Sequence, residues 1–445
     1  MFFLAGGLLS AWFGGVVVAR SQATAPDATA APPVVITLED AIHRAQSSDA
    51  NYAAAVAAGQ SAKLDRNIAY SNLLPSVVYH NQGLYTQPNG QKSQTALSQP
   101  APLFIANNAV REYTSQATIN ETLGLSSVAS ARRAQAQAAQ AAAEQEIARR
   151  GLVAAVVALF YQSLAADHKL AVAEHARQEA EDFSKLTAER EQARESAHTD
   201  AIKAQLEEQS RTRDFKDAQV AAEAARLELG VLLFPDPRAA YTLSAPDAAP
   251  ALASREDIDA AAAKNNPELR SAMEALRASN ASVLAAWASY LPDVGLNYTY
   301  GIDAAQFAVN GPDGIRNLGY SAMVTVDIPV WDWFNTERRV KQSEIARQAT
   351  QVSLSATQRH LIASLDEAYA EAATARDELA SLDLSVATAA ESLRLTKMAY
   401  TGGEATVLEV VDAQNAYVIA QNAREDGRVR YEAARARLQT LTGNL

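Results

Sequence analysis

The chain has 445 residues, no cysteine and a formal net charge of −12 at pH 7, and 48% of its residues are apolar although only 7% are aromatic. The absence of Cys excludes disulfides, thiol nucleophiles and Cys-ligated metal centres, and the acidic balance argues against a nucleic-acid partner, which needs clustered Lys and Arg. Much of the apolar share is Ala, which favours helices packed closely side by side over a wide globular core.

The first predicted segment is apolar and uncharged, from Phe2 to Val18. Ser21-Gln22-Ala23 follows it and fits a small-x-small cleavage site, so we predict a secretory signal peptide at 1–23 and an unstructured stretch at 24–35. No Lys or Arg precedes the segment, so an upstream start or a membrane anchor stays an alternative. Further along, no apolar run approaches the ~20 residues of a membrane helix, and membrane insertion would have to use strands.

The remaining sequence predicts two structural repeats, 36–233 and 254–445, joined by a Pro-rich linker at 234–253. Each repeat begins with a short helix and a longer one, and a Leu-Pro pair ends the longer helix because Pro cannot continue it. The pairs that align are Glu39-Asp40 with Glu256-Asp257 and Leu74-Pro75 with Leu291-Pro292, and both are displaced by 217 positions (256 − 39 and 292 − 75).

Two strands are predicted in each repeat, where apolar and polar residues alternate. The clearest are Val294–Ile302 and Leu318–Ile328, whereas Tyr113–Leu125 alternates except at Glu121 and Val77–Tyr85 alternates poorly. The lengths suit the ~9–11 residues of a membrane-spanning strand. An ordinary sandwich strand with one face on a core would show the same alternation.

Three tryptophans flank the second strand pair: Trp287, Trp331 and Trp333. Trp and Tyr concentrate at membrane–water interfaces, so we predict that these residues lie at such an interface. Buried junctions between helix and strand would produce the same placement.

Two very long helices are predicted at about 126–191 and 334–399, and neither contains Pro. Each would extend about 100 Å, which implies coiled-coil-like packing. The four strands of one chain cannot enclose a lumen, and open strand edges in lipid cost several kcal/mol for each unpaired backbone group. If the strands span a membrane, two or more chains must therefore share one barrel of eight, twelve or more strands.

Four segments of the sequence, taken in chain order, resemble those of a known family. They are Thr37-Leu-Glu-Asp-Ala-Ile, Asn265-Asn-Pro-Glu-Leu, Pro329-Val-Trp-Asp and, most specifically, Tyr400-Thr-Gly-Gly-Glu-Ala-Thr-Val-Leu-Glu-Val-Val-Asp-Ala-Gln. On these segments the chain resembles the TolC-like outer-membrane efflux proteins. The resemblance implies a mainly α fold with a small β part, in which a long antiparallel α-helical barrel joins a trimeric 12-stranded transmembrane β-barrel.

The same resemblance implies a function. The chain would be the outer-membrane channel subunit of a tripartite export system, with a large periplasmic portion, and would give a passive exit duct from the periplasm to the exterior. Its partners would be two further copies of itself, a periplasmic adaptor protein, an inner-membrane pump and outer-membrane lipid. The alternative is an anchored periplasmic coiled-coil structural or adaptor protein.

Residues near one helix break carry the predicted site. Gly402 and Gly403 would form a hairpin tip, since Gly adopts the positive φ of a tight turn, and the family docks its adaptor at such tips. Glu409 and Asp412 are three apart on one helix face, and the resemblance implies that they ring the channel entrance. Tyr400 matches a gating residue of the family. The Arg that often accompanies this Tyr in the family is replaced here by Ala405. The corresponding hairpin tip of the first repeat is expected near 195–199, a stretch that contains no Gly.

An isolated Glu/Asp pair is more commonly a solvated helix face, and this stays the alternative for Glu409 and Asp412. No nucleophile motif, phosphate loop or zinc motif is present in the sequence, so we predict neither an enzyme nor a cofactor. His168 and His175 could share a helix face, but two such histidines are usually solvated side chains on a helix surface, and we predict no metal site.

Overall fold

A computed structural model describes residues 34–85, 111–244, 252–312 and 314–443. The predicted signal peptide at 1–23 lies outside these residues. The elements in chain order are β1 (Val34–Thr37), α1 (Leu38–Ser48), α2 (Ala50–Ser71), β2 (Ser76–Tyr85), β3 (Arg111–Leu123), α3 (Leu125–Gln192), α4 (His198–Leu233), β4 (Tyr241–Ser244), α5 (Arg255–Asn265), α6 (Pro267–Ala288), β5 (Asp293–Ala304), β6 (Leu318–Asp327), α7 (Asn335–Gly402) and α8 (Val407–Thr442).

The helices of the two halves correspond one by one in length. They have 11, 22, 68 and 36 residues in each half. Local capping explains the shared starts: Thr37 and Ser254 accept hydrogen bonds at the N-termini of α1 and α5, and Asp49 and Asn266 do so for α2 and α6. Such side chains satisfy amide groups that the first helical turn leaves unpaired.

Strands β2, β3, β5 and β6 form one antiparallel sheet in that order. The Leu-Pro pairs end α2 and α6, and the chain then enters β2 and β5 directly. The two halves meet in the middle of the sheet, where β3 pairs with β5 and Leu123 lies opposite Val294. All four predicted strands are therefore present, within two residues of their predicted ends at most positions.

A second, two-stranded sheet was not predicted. In it β1 pairs in parallel with β4, and Ile36 lies opposite Leu243. The expectation of unstructured chain through Val35 is wrong for Val34 and Val35, and the predicted linker contains β4. The physical reason is burial: Ile36 and Tyr241 are almost fully enclosed in the core of the first half, and a four-residue strand leaves too short a pattern to detect.

The core consists of three separate small clusters along the helices rather than one wide centre. The largest involves α1, α3 and α4, the second α5, α7 and α8, and the third lies where the long helices turn. Helix α3 also contains a stretch long and apolar enough to cross a membrane, half of it buried by neighbouring helices. The expectation that no such stretch follows the signal is thus wrong, because Ala and Val dominate the part of α3 that packs in the core.

Candidate functional site

In each half one turn joins the two longest helices, α3 to α4 and α7 to α8. Both turns lie at the same end of the helical region. Helix α7 ends at Gly402, and Gly403 adopts a left-handed conformation with φ of 80°. The amide of Glu404 then donates to the carbonyl of Ala399 at 2.8 Å. In the first half the left-handed residue is Arg194, with φ of 63°. This turn occupies 193–197, slightly before the predicted 195–199, because no Gly marks it in the sequence.

A capping box begins α8. The backbone amide and the hydroxyl of Thr406 donate to the Glu409 carboxylate at 2.6 and 3.0 Å, and the Glu409 amide donates to the Thr406 hydroxyl at 3.3 Å. These donors lower the pKa of Glu409 from its usual value, since they stabilise the charged form. Glu409 and Asp412 are both exposed, whereas Val407 and Val410 are buried. Glu409 therefore stabilises the helix start while its charge remains at the surface.

Tyr400 is buried, with 7% of its surface exposed. Its ring meets Phe183 of α3 edge to face at 5.1 Å, and the two belong to the small core at the turns. Ala405 packs against that core. The Tyr400 hydroxyl is buried without a hydrogen-bond partner among the described residues.

Arg190 of α3 is the functional candidate that sequence reasoning missed. Its guanidinium lies 4.8 Å from the centre of the Tyr400 ring, and it donates to the carbonyls of Tyr400 at 3.2 Å and of Thr401 at 3.4 Å. A cation at the C-terminal carbonyls of a helix is electrostatically favourable. Arg190 therefore fastens the end of α7 to α3, although an Ala stands at position 405. The two residues are 210 positions apart, so no local motif could reveal the contact.

The sheet forms a second region of interest because one of its faces is apolar and exposed. Tyr298, Tyr320 and Val324 lie on this face, and Val324 is 68% exposed. The opposite face carries a polar row in which Asn297 donates to Asn120 at 2.5 Å and Thr299 donates to Asn297 at 3.2 Å. Glu121 shares the apolar face with Leu296, its partner in the register, as the sequence indicated.

The three tryptophans all lie exposed beside the sheet. Trp287, Trp331 and Trp333 are 52%, 63% and 72% exposed. Trp331 packs edge to face on Trp333 at 5.8 Å and on Phe334 at 5.2 Å. Burial at a helix–strand junction, the alternative considered from the sequence, does not describe them in this chain.

No group of three or more His, Cys, Asp or Glu residues with metal-binding geometry occurs in the described parts of the chain. His168 lies 2.9 Å from Glu425 of α8, whereas His175 lies 3.8 Å from Glu179 of its own helix. The two histidines thus face different carboxylates and do not converge on one site.

Residues 260–444 match the sequence model of the outer membrane efflux protein family. A curated relative, the outer membrane protein OprJ of Pseudomonas aeruginosa, is 26% identical over 171 residues, which are 38% of this chain and 35% of that protein. The matched segment therefore spans about a third of the relative's length.

Solved structures share the fold over nearly the whole chain. The Campylobacter jejuni CmeC outer membrane channel superposes with a TM-score of 0.75 at 15% identity, over 91% of this chain and 85% of that one. For the outer membrane protein VceC of Vibrio cholerae the TM-score is 0.76 at 15% identity, over 91% and 96%. The open Neisseria gonorrhoeae MtrE outer membrane channel gives 0.73 at 18%, over 91% and 88%.

Proposed function

We propose that this outer-membrane chain, which belongs to the outer membrane efflux protein family by its residues 260–444, is one of three identical subunits of an export channel. Each subunit contributes four strands to a twelve-stranded β-barrel and its long helices to a tunnel through the periplasm. The channel is a passive exit duct, and substrates reach it from an inner-membrane pump through a periplasmic adaptor.

The open sheet is the observation that carries this proposal. In the described part of the chain, β2 and β6 each pair with one strand only. An unpaired edge in lipid costs several kcal/mol for each backbone group. Because the strands alternate in direction, β2 and β6 run oppositely, and β6 of one copy can continue the antiparallel pattern with β2 of the next. The exposed apolar face then meets lipid and the Asn and Thr face lines the lumen.

Exposed apolar side chains on the helices support association of copies. Leu64 and Ile68 of α2 are exposed, as are Ile345 and Val352 of α7. Single exposed apolar residues are ordinary, but the two of α2 are four residues apart and the two of α7 are seven apart, so each pair lies on one helix face. Such stripes fit a contact between the α7 of one copy and the α2 of the next.

The turns of the long helices fit a narrow entrance. Three copies would bring six carboxylates of Glu409 and Asp412 around one axis, and such a ring favours cations. Tyr400 and Arg190 hold α7 against α3 beside these carboxylates. We propose that the turn at Gly402 and Gly403 contacts the adaptor. The matched helix lengths support the interpretation of the chain as two structural repeats, 36–233 and 254–445.

Cell fractionation and gel electrophoresis test this proposal. We expect the chain in the outer membrane, as an oligomer of three that resists SDS without heating and becomes a monomer after boiling. The purified oligomer should conduct ions across a planar bilayer. A soluble monomer, or a chain confined to the inner membrane as an anchored coiled-coil protein would be, contradicts the proposal.

A further inference from the structure

Basic residues concentrate where the helices meet the sheet. The twelve residues of α2, α3, α6 and α7 nearest the sheet (60–71, 125–136, 277–288 and 335–346) carry eight basic and three acidic side chains. The twelve residues of α3, α4, α7 and α8 nearest the turns (181–192, 198–209, 391–402 and 407–418) carry five basic and ten acidic ones. The excess is thus five positive charges at one end and five negative charges at the other, in a chain whose net charge is −12.

The cations at the two ends also differ in their partners. Near the turns, Lys185, Lys203, Arg394 and Lys397 all form ion pairs, and Arg190 binds carbonyls. Near the sheet, Arg277 pairs with Glu274, and the other seven basic residues form no ion pair within the ranges that the structure describes. We call these seven the basic collar: Lys63, Arg66, Arg132, Arg133, Arg338, Arg339 and Lys341.

The collar lies just below the exposed tryptophans. Arg338, Arg339 and Lys341 are three to six residues from the start of α7, which is about 5–9 Å along the helix axis. The headgroup layer of a bilayer is about 5–8 Å thick on each side, and long basic side chains extend toward it while their stems cover apolar surface. These three side chains are exposed, whereas Thr336 and Val340 beside them are buried.

We infer that the basic collar binds anionic phospholipid headgroups of the periplasmic leaflet. The inference rests on the proposed function, since it requires the sheet to lie in the membrane with the helices in the periplasm. The collar cations then surround the barrel at the level of the phosphate groups. Each Lys or Arg close to an anionic membrane surface gains attraction, and the contacts fix the depth at which the barrel lies.

The carboxylates on the same helix segments are too few to neutralise the collar. They are Asp65, Glu337 and Glu344. If a neighbouring copy paired all three, four of the seven collar cations in each chain would remain, and an anionic surface that surrounds all copies equally can neutralise them. Asp293, Asp327 and Asp332 lie beside these segments, and ion pairing with them between copies is the outcome that the lipid measurement separates from headgroup binding.

The test measures which phospholipids the oligomer retains. Oligomers are reconstituted in nanodiscs that contain equal amounts of phosphatidylglycerol and phosphatidylcholine, extracted with mild detergent, and analysed by native mass spectrometry. The collar variant carries Arg338→Gln, Arg339→Gln and Lys341→Gln. The matched control loses three positive charges near the turns, through Lys185→Gln, Lys203→Gln and Arg394→Gln.

We expect phosphatidylglycerol to be enriched on the unaltered oligomer and on the control. In the collar variant the enrichment should fall by about fivefold for each cation in contact with a headgroup. Equal retention of both lipids by the unaltered oligomer, or full enrichment on the collar variant, would overturn the inference. So would a collar variant that forms no oligomer in either lipid, as the loss of ion pairs between copies would produce. If the unaltered chain forms no oligomer at all, the proposed function itself fails.

Discussion

The sheet end and the turn end of the same long helices have opposite surfaces. At the sheet end, large apolar side chains such as Val324 and Trp333 are exposed, and most cations lack a carboxylate partner. At the turn end, Phe183, Tyr400 and Val410 are enclosed in a small core, and most cations are paired. The turn end thus has a small core of its own within one chain, whereas the exposed apolar face of the sheet is the surface that the proposed channel would place against lipid and other copies. With its own core, the turn end could change conformation while the proposed oligomer stays assembled.

The largest effect is expected at the sheet end. Val324→Arg places a charge on the apolar face of β6, and a charge at mid-membrane on a lipid face costs about 2–4 kcal/mol in each subunit. We expect little heat-modifiable oligomer in the outer membrane. Ser321→Arg is the matched control, because Ser321 lies on the opposite face of the same strand, and it should assemble. Equal assembly of both variants would contradict the assignment of the Val324 face to lipid and of the Ser321 face to the lumen.

The next effect is expected at the turn end. Arg190→Ala removes two hydrogen bonds from a charged donor and a cation–π contact, together about 2–4 kcal/mol. Assembly should be normal, because the contact lies within one chain, while the conductance of the purified oligomer should increase as α7 is released from α3. Arg394→Ala is the control, since the described contacts of its guanidinium are with Glu391 and Met398 of its own helix. Unchanged conductance in Arg190→Ala would show that this contact does not hold the entrance.

A smaller effect tests the capping box that begins α8. Thr406→Ala should destabilise the first turn of α8 by about 1 kcal/mol, because it removes the hydroxyl that donates to the Glu409 carboxylate and accepts from the Glu409 amide. Hydrogen exchange of the amides at 407–410 should accelerate, with the rest of the chain unaffected. Thr37→Ala removes the equivalent box of α1 and should accelerate exchange only there. Acceleration across both helices in either variant would mean that the boxes are not local.

The smallest effect concerns pH. The Glu425 carboxylate raises the pKa of His168, and His168 in turn lowers the pKa of Glu425. Because folding raises the pKa of His168, its stabilising contribution is fully present below the usual pKa of 6.5 and is lost as pH rises through the pKa of the folded state. Because folding lowers the pKa of Glu425, its stabilising contribution is fully present above the usual pKa of 4.5 and is lost as pH falls through the pKa of the folded state. The pair therefore contributes most between about pH 4.5 and 6.5, by less than about 1 kcal/mol because His168 is half exposed.

Thermal unfolding of His168→Gln beside the unaltered chain measures this contribution. The difference in unfolding free energy should be present at pH 5.5 and absent at pH 8.5. A difference that is the same at both values would contradict the pKa of His168 as its source.

Sequence patterns predicted the helices and the four strands closely because each pattern is long: Leu-Pro pairs end α2 and α6, and alternation marks β5 and β6. Short or distant relations were not predictable. The pairing of β1 with β4 joins residues about 207 apart, and Arg190 meets Tyr400 across 210 residues. At Glu409 the family resemblance implied an entrance residue, which stays a prediction, and the structure shows that the side chain completes the capping box of α8. The turn of the first half was displaced because Arg194, not Gly, adopts the positive φ.

One recording tests most directly the claim that the turn end is the acidic entrance of a channel. Single oligomers in a planar bilayer are exposed to a multivalent cation on the turn side, then on the sheet side. Glu409→Gln with Asp412→Asn removes the charges, and Gln at this position still suits a capping box. Glu404→Gln, at an exposed carboxylate in the adjoining turn, is the control. We predict block from the turn side in the unaltered channel and in the control, and none in the double variant. Unchanged block in the double variant would contradict the account.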